Sequence, residues 1–147
     1  MNQPTSSQPR LYFAYGSNLD PNQMASRCPD AIPADIATLS DWEFSIYERG
    51  YATVARKSGS TVLGGLWEVS AKDLRQLDLY EGVARGLYRR RLLTVKTQDG
   101  PTQAVIYIAN RTQDGQANPG YVERVIAGAQ WFGLSNSYVA QLSTWLA

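Results

Sequence analysis

Glu81 is the carboxylate of this chain best placed to do chemistry. It stands in LDLYEG, between Tyr80 and Gly82, where a helix carrying Leu74 and Leu77 on one face comes to its end. The C-terminus of a helix carries partial negative charge, so an ionised carboxylate is disfavoured there. Leu77 and Leu79 add to the effect where they bury it. Both influences push a glutamate from about 4.3 toward neutral pH, where a general base is most useful. The competing reading is a surface ion pair with Arg85 or Arg89. Asp78, one turn earlier, reads as a solvated helix residue.

The second candidate is LYFAYGSNLDP, residues 11–21. Gly16-Ser17-Asn18 lies between a short apolar run and a helix start. Such a loop turns backbone N–H groups into one small space near a helix N-terminus, which suits a carboxylate. An ordinary turn has the same composition. No Gly-Lys-Ser/Thr follows, so the loop is not of the triphosphate-binding kind.

Two absences narrow the chemistry. There is no histidine, which removes Ser-His-Asp and Cys-His catalysis and every His-based metal site. There is one cysteine, Cys28, so neither an internal disulfide nor a thiolate cluster forms, and the thiol reads as structural. Acid–base work without a cofactor then falls to Asp, Glu, Lys, Tyr or a backbone group.

The elements that position these residues follow in order. Leu11–Tyr15 reads as a buried strand. Asp20 is an N-cap with Pro21 at the first helical position, and Gln23 is spaced to complete a capping box. Pro21–Arg27 is a short helix that Cys28-Pro29 ends. Strands are expected over Ile36–Leu39, Trp42–Tyr47 and Tyr51–Arg56, with turns at Arg49-Gly50 and Ser58-Gly59-Ser60. Gly64-Gly65 inside Thr61–Val69 marks a bulge, a barrel corner or the close approach of another segment. Ser70 with Asp73 caps the helix that leads to Glu81, and Gly82 ends it in the left-handed conformation. Leu87–Thr97 and Gln103–Ala109 pair across a Gln98–Pro101 turn. Residues 110–118 are a loop, Pro119 opens a helix that Gly133 closes, and a last helix spans Ser137–Leu146. The fold class is α+β: a small, mostly antiparallel sheet or barrel with surrounding helices.

At 147 residues, 44% hydrophobic and 18% charged with net charge +1, the chain suits one globular domain over residues 11–147. Residues 1–10 read as a flexible tail without a signal-peptide core, and the default location is cytoplasmic. Arg89-Arg90-Arg91 is a solvated strand segment rather than a nucleic-acid patch, and no apolar run suits a membrane.

Three stretches together resemble the gamma-glutamylcyclotransferase family. LYFAYGSNL is similar to its YGSNL substrate loop. LDLYEGVARGLYRR is similar to its acidic segment, and NPGYVERVIAGAQWFGLSNSYVAQL to its Pro-x-x-Tyr helix. The middle, GYATVARKSGSTVLGGLWEV, resembles the family's paired strands, so the likeness runs in order over residues 11–146. It implies a small mixed-sheet barrel and an enzyme that cyclises a gamma-glutamyl compound, releasing 5-oxoproline and an amino acid or amine. The family's catalytic glutamate falls on Glu81. Its substrate loop falls on Tyr12, Phe13, Ala14, Tyr15, Gly16, Ser17, Asn18 and Leu19, and its pocket tyrosines on Tyr88 and Tyr121. Core packing is the alternative for both tyrosines. The implied partner is a small-molecule gamma-glutamyl substrate, with no cofactor, metal, nucleic acid or membrane, and a homodimer is left open. A gamma-glutamylamine substrate, or a non-catalytic carboxylate-binding or protein-interaction module on the same scaffold, are the other readings.

Overall fold

The computed structural model describes residues 10–110 and 113–146. Five strands close into a barrel in the order β1-β3-β2-β4-β5: β1 (Arg10–Ala14), β2 (Ile32–Ile46), β3 (Ala52–Val69), β4 (Tyr88–Thr97) and β5 (Gly100–Ala109). Every pairing is antiparallel except β1 with β5, which closes the barrel. Four helices surround it: α1 (Pro21–Arg27), α2 (Ala71–Tyr80), α3 (Tyr121–Phe132) and α4 (Asn136–Ser143). None is long and apolar enough to cross a membrane. The expected tail over residues 1–9 lies outside the described residues. Arg10, expected in that tail, instead opens β1 opposite Val69.

Alternation along the strands splits the core in two. Phe13, Ile106 and Ile108 join Leu39, Val54 and Leu66 inside the barrel. Their neighbours Tyr12, Ala14, Val105 and Tyr107 face the other way, against Leu74 and Leu77 of α2 and Val125 and Ala129 of α3.

The two longest strands depart from the expected pattern. β2 runs unbroken through Ser40, and β3 through the expected turn at Ser58-Gly59-Ser60. The irregularity is absorbed where Ser40 faces Thr61 and Trp42 faces Arg56. There Asp41 adopts φ 67 and its carboxylate accepts the Gly59 N–H at 3.0 Å. Of the readings open for Gly64-Gly65, close approach is the observed one. A Cβ on Gly64 would lie 2.4 Å from the Ala14 carbonyl oxygen, and one on Gly65 2.6 Å from the Phe132 ring.

Helix ends follow local chemistry. Asp20 caps α1 by accepting from Asn22 N–H at 3.2 Å, and Ser70 and Asp73 cap α2 reciprocally. Gly82 ends α2 at φ 64 and Gly133 ends α3 at φ 85. The cap of α3 is Gly120 rather than Pro119, and α4 is shorter than expected at its C-terminal end. Cys28 is buried, its thiol 3.6 Å from the Asp73 carbonyl oxygen, and burial pushes its ionisation up to about 12.

Candidate active site

A cavity of about 580 Å3 opens where six segments meet. They are the end of β1 with its loop, α1, the β2–β3 turn, the α2–β4 connection, β5 and the start of α3. Tyr12, Tyr15, Gly16, Ser17, Asn18, Glu81, Tyr88 and Tyr121 all line it. Phe13, Ala14 and Leu19 do not: each is fully buried, Phe13 inside the barrel and the other two beneath the helices. Strand alternation and the tight turn send these three side chains into the core, so the proposed substrate loop contributes only part of its length to the cavity.

The loop is one short 3-10 turn, Ser17–Leu19. Its internal bonds, Leu19 N–H to Gly16 O and Asp20 N–H to Ser17 O, both at 3.0 Å, leave the N–H groups of Ser17 and Asn18 unused by the turn. Asn18 holds the loop in place. Its Nδ2 donates to Tyr12 Oη at 3.0 Å, while its Oδ1 accepts from Gln23 Nε2 at 2.9 Å and Arg27 Nη1 at 3.1 Å. Its carbonyl accepts from Trp67 Nε1 at 3.0 Å. Gln23 therefore braces Ser17 and Asn18 instead of closing the expected capping box.

Glu81 caps the C-terminus of α2 and lies partly buried in the cavity wall. Among the described residues its carboxylate has no hydrogen-bond or ion-pair partner. The competing surface pair is not formed: Arg89 reaches the Ala109 carbonyl and Asn110 instead. Desolvation pushes the Glu81 carboxyl up to about 7, with the Arg27 charge pulling the other way. Of the two leucines expected to bury it, Leu77 is fully buried but Leu79 is 70% exposed. Tyrosines stand around it. Tyr12, Tyr15, Tyr47, Tyr88 and Tyr121 all have hydroxyls raised by burial first and by the Glu81 charge among the further causes. Asp78 is not the solvated residue expected. It accepts from Tyr107 Oη at 2.7 Å and pairs with Arg90 at 3.0 Å.

The tyrosine hydroxyls divide by what they do with their protons. Tyr88 donates to the Ala52 carbonyl at 2.7 Å, and Tyr15 to that of Tyr107 at 2.5 Å. Tyr121 accepts from the Ala52 N–H at 3.1 Å and lies against the Ser17 amide and hydroxyl, while Tyr12 accepts from Asn18. A Cβ on Gly16 would stand 2.8 Å from Tyr121 Oη, so glycine lets that hydroxyl reach the loop. Sequence reasoning missed Ala52, Arg27, Tyr47 and Tyr107. The first three carry no motif, and Tyr107 looks like any strand residue. Among the described residues no three His, Cys, Asp or Glu side chains gather to hold a metal ion.

A second cavity, about 600 Å3, lies between β3 and α4, lined by Phe44, Leu63, Tyr138, Trp145 and several serines. Its acid, Glu43, is 3.7 Å from Lys57.

The AIG2-like family model matches residues 61–142. The gamma-glutamylcyclotransferase of Bos taurus is 30% identical over 145 residues, covering 91% of this chain and 77% of that protein. Its counterpart in Homo sapiens is 30% identical, covering 90% of this chain and 76% of the relative. A solved gamma-glutamyl cyclotransferase superposes with a TM-score of 0.89 at 28% identity, over 95% of this chain and 89% of that one.

Proposed function

The chain belongs to the AIG2-like family and, with its mammalian relatives, to the gamma-glutamylcyclotransferases, and on that footing we propose that it cyclises a gamma-glutamyl compound to 5-oxoproline with Glu81 as general base and acid. The observation that carries this reading is a desolvated carboxylate without a partner among the described residues, ringed by tyrosines in the same cavity as the Gly16–Asn18 loop.

The reaction needs the substrate's α-amine as a nucleophile, and at neutral pH that amine is an ammonium. A carboxyl near 7 takes one of its protons. The amine nitrogen then bonds to the γ-carbon, and the carbonyl electrons move onto oxygen. The Asn18 amide, with the Tyr121 hydroxyl and the Ser17 groups beside it, is the donor set closest to hand for that oxyanion or for the substrate α-carboxylate. As the oxyanion collapses, the bond to the leaving nitrogen breaks. Two protons of the original ammonium end on that nitrogen, which departs as an ammonium, and Glu81 ends ionised as it began. Ring closure is intramolecular, so holding the glutamyl chain folded supplies much of the rate.

The test is to incubate the protein with gamma-glutamyl-amino acids, glutathione and gamma-glutamylamines and follow 5-oxoproline by mass spectrometry. Product is expected from at least one of them and lost by about a hundred- to ten-thousandfold in Glu81→Gln. Turnover by that variant at the wild-type rate sinks the role given to Glu81. Substrate bound but recovered unchanged by the wild type favours a binding module.

A further inference from the structure

Four arginines line the catalytic cavity, Arg27, Arg49, Arg85 and Arg124, against one acid among the described residues, Glu81. Two of the four are committed to the protein. Arg27 donates to Asn18 and lies 4.6 Å over the Tyr80 ring. Arg124 donates to Gln23 Oε1 at 2.7 Å and stands 3.6 Å from the Asp20 carboxylate. Arg49, in the β2–β3 turn, and Arg85, just past Glu81, are different. Both are exposed, and neither guanidinium has a hydrogen-bond or ion-pair partner among the described residues.

Their backbones are nonetheless fixed. Gly50 N–H to Tyr47 O at 2.8 Å closes the first turn, and Asn118 Nδ2 holds the Arg49 carbonyl at 3.1 Å. Arg85 N–H bonds Gly82 O at 3.0 Å. The cavity thus presents two cations on fixed backbone whose charge no acid among the described residues answers. The cyclisation itself gives them nothing to do, because the reacting end of the substrate is served by Glu81, the loop amides and Tyr121.

A gamma-glutamyl group with a free α-amine and α-carboxylate has no net charge. Whether the whole substrate is anionic is decided by its leaving group. Resting on the cyclisation reading above, we propose that Arg49 and Arg85 form a leaving-group subsite that selects an anionic leaving group. An amino acid with its carboxylate free is accepted, a dicarboxylic one is favoured further, and a capped or simple amine is disfavoured. A planar guanidinium fork matches a carboxylate in two parallel hydrogen bonds. A pair of exposed cations also draws anions toward the cavity in a salt-dependent way.

The test uses a matched series that varies only this charge: gamma-glutamyl-aspartate, gamma-glutamyl-alanine and gamma-glutamyl-alaninamide. In the wild type, kcat/KM is expected to fall along the series, by about fivefold at each step through KM, and the spread to shrink at high salt. Combining Arg49→Gln with Arg85→Gln is expected to collapse the alanine-to-alaninamide ratio to within about twofold of unity. Lysine at both positions restores part of the ratio. Arg91→Gln, an exposed charge on β4 outside the cavity, leaves it unchanged. Equal turnover of acid and amide by the wild type overturns the subsite. So does a ratio that survives the double glutamine variant. Absence of 5-oxoproline from all three compounds and from the wider panel overturns the cyclisation reading itself, which keeps the two failures apart.

Discussion

The two cavities have nearly the same volume, about 580 and about 600 Å3, yet they differ in what their polar groups have left to give. In the first, Asn18, Gln23 and Ala52 spend their hydrogen bonds on holding the wall, and this leaves the Glu81 carboxylate without a partner among the described residues. In the second, the acid is paired with a lysine, and among the described residues the side-chain polar atom left buried without a partner is the Tyr138 hydroxyl. Volume alone is a poor guide to chemistry. A wall whose polar groups are mostly spent on one another, with a desolvated carboxylate left over, is a better one.

The sharpest way to break this contrast is at Glu81. Besides the loss of turnover expected in Glu81→Gln, the pH dependence of wild-type kcat/KM carries a signature. A base must be ionised, so kcat/KM is expected to rise with pH through about 7. It falls again where the substrate ammonium loses its own proton. An acid limb near the ordinary glutamate value would separate Glu81 from the chemistry.

Next in size is Gly128→Ala on α3. Its new Cβ would lie 2.4 Å from the Leu19 carbonyl carbon and 2.5 Å from the Asp20 nitrogen. Backbone cannot swing aside as a side-chain tip does, so a loss of about 1–3 kcal/mol is expected in thermal or urea melts. Turnover should fall as the loop is displaced, whereas a stability loss with intact turnover would detach the loop from the site.

A comparable effect of opposite sign is expected for the stability of Glu81→Gln. The folded carboxyl titrates near 7, above its unfolded value of about 4.3. Ionising it therefore costs the folded state. The increment of stability linked to this carboxyl is fully present below the unfolded value and is lost as pH rises through about 7. The variant should melt higher than wild type at pH 8, by on the order of 2 kcal/mol, with the gap closing toward pH 4. A gap independent of pH would place the carboxylate in water. The smallest effect belongs to the second cavity. Tyr138→Phe removes a hydroxyl without a partner, so stability should change by less than about 1 kcal/mol and turnover not at all.

Features resting on a few neighbouring residues were legible in the sequence. The Ser70–Asp73 cap, the left-handed Gly82, and Glu81 at a helix end belong to this class, and so does the pairing of β4 with β5. What stayed illegible is non-local. Tyr121 reaches Ala52 across 69 positions, and Trp67 reaches Asn18 across 49, and no local pattern announces either contact. Gln23 shows the limit within the local class: its spacing suits a capping box, but Ser17 and Asn18 offer it better acceptors. Helix polarity and leucine burial single out Glu81 in the sequence, but the tyrosines from distant strands and α3 that stand around it are brought there only by the fold.

The contact between Gly128 and the Leu19–Asp20 backbone has a kinetic side as well. Helix backbone lies flush against loop backbone there, with no room for even a methyl group between them. A floor clamped in this way is not expected to swing as a lid. Encounter should then be a single-step process whose observed rate grows linearly with substrate concentration, without the plateau of a slow opening step.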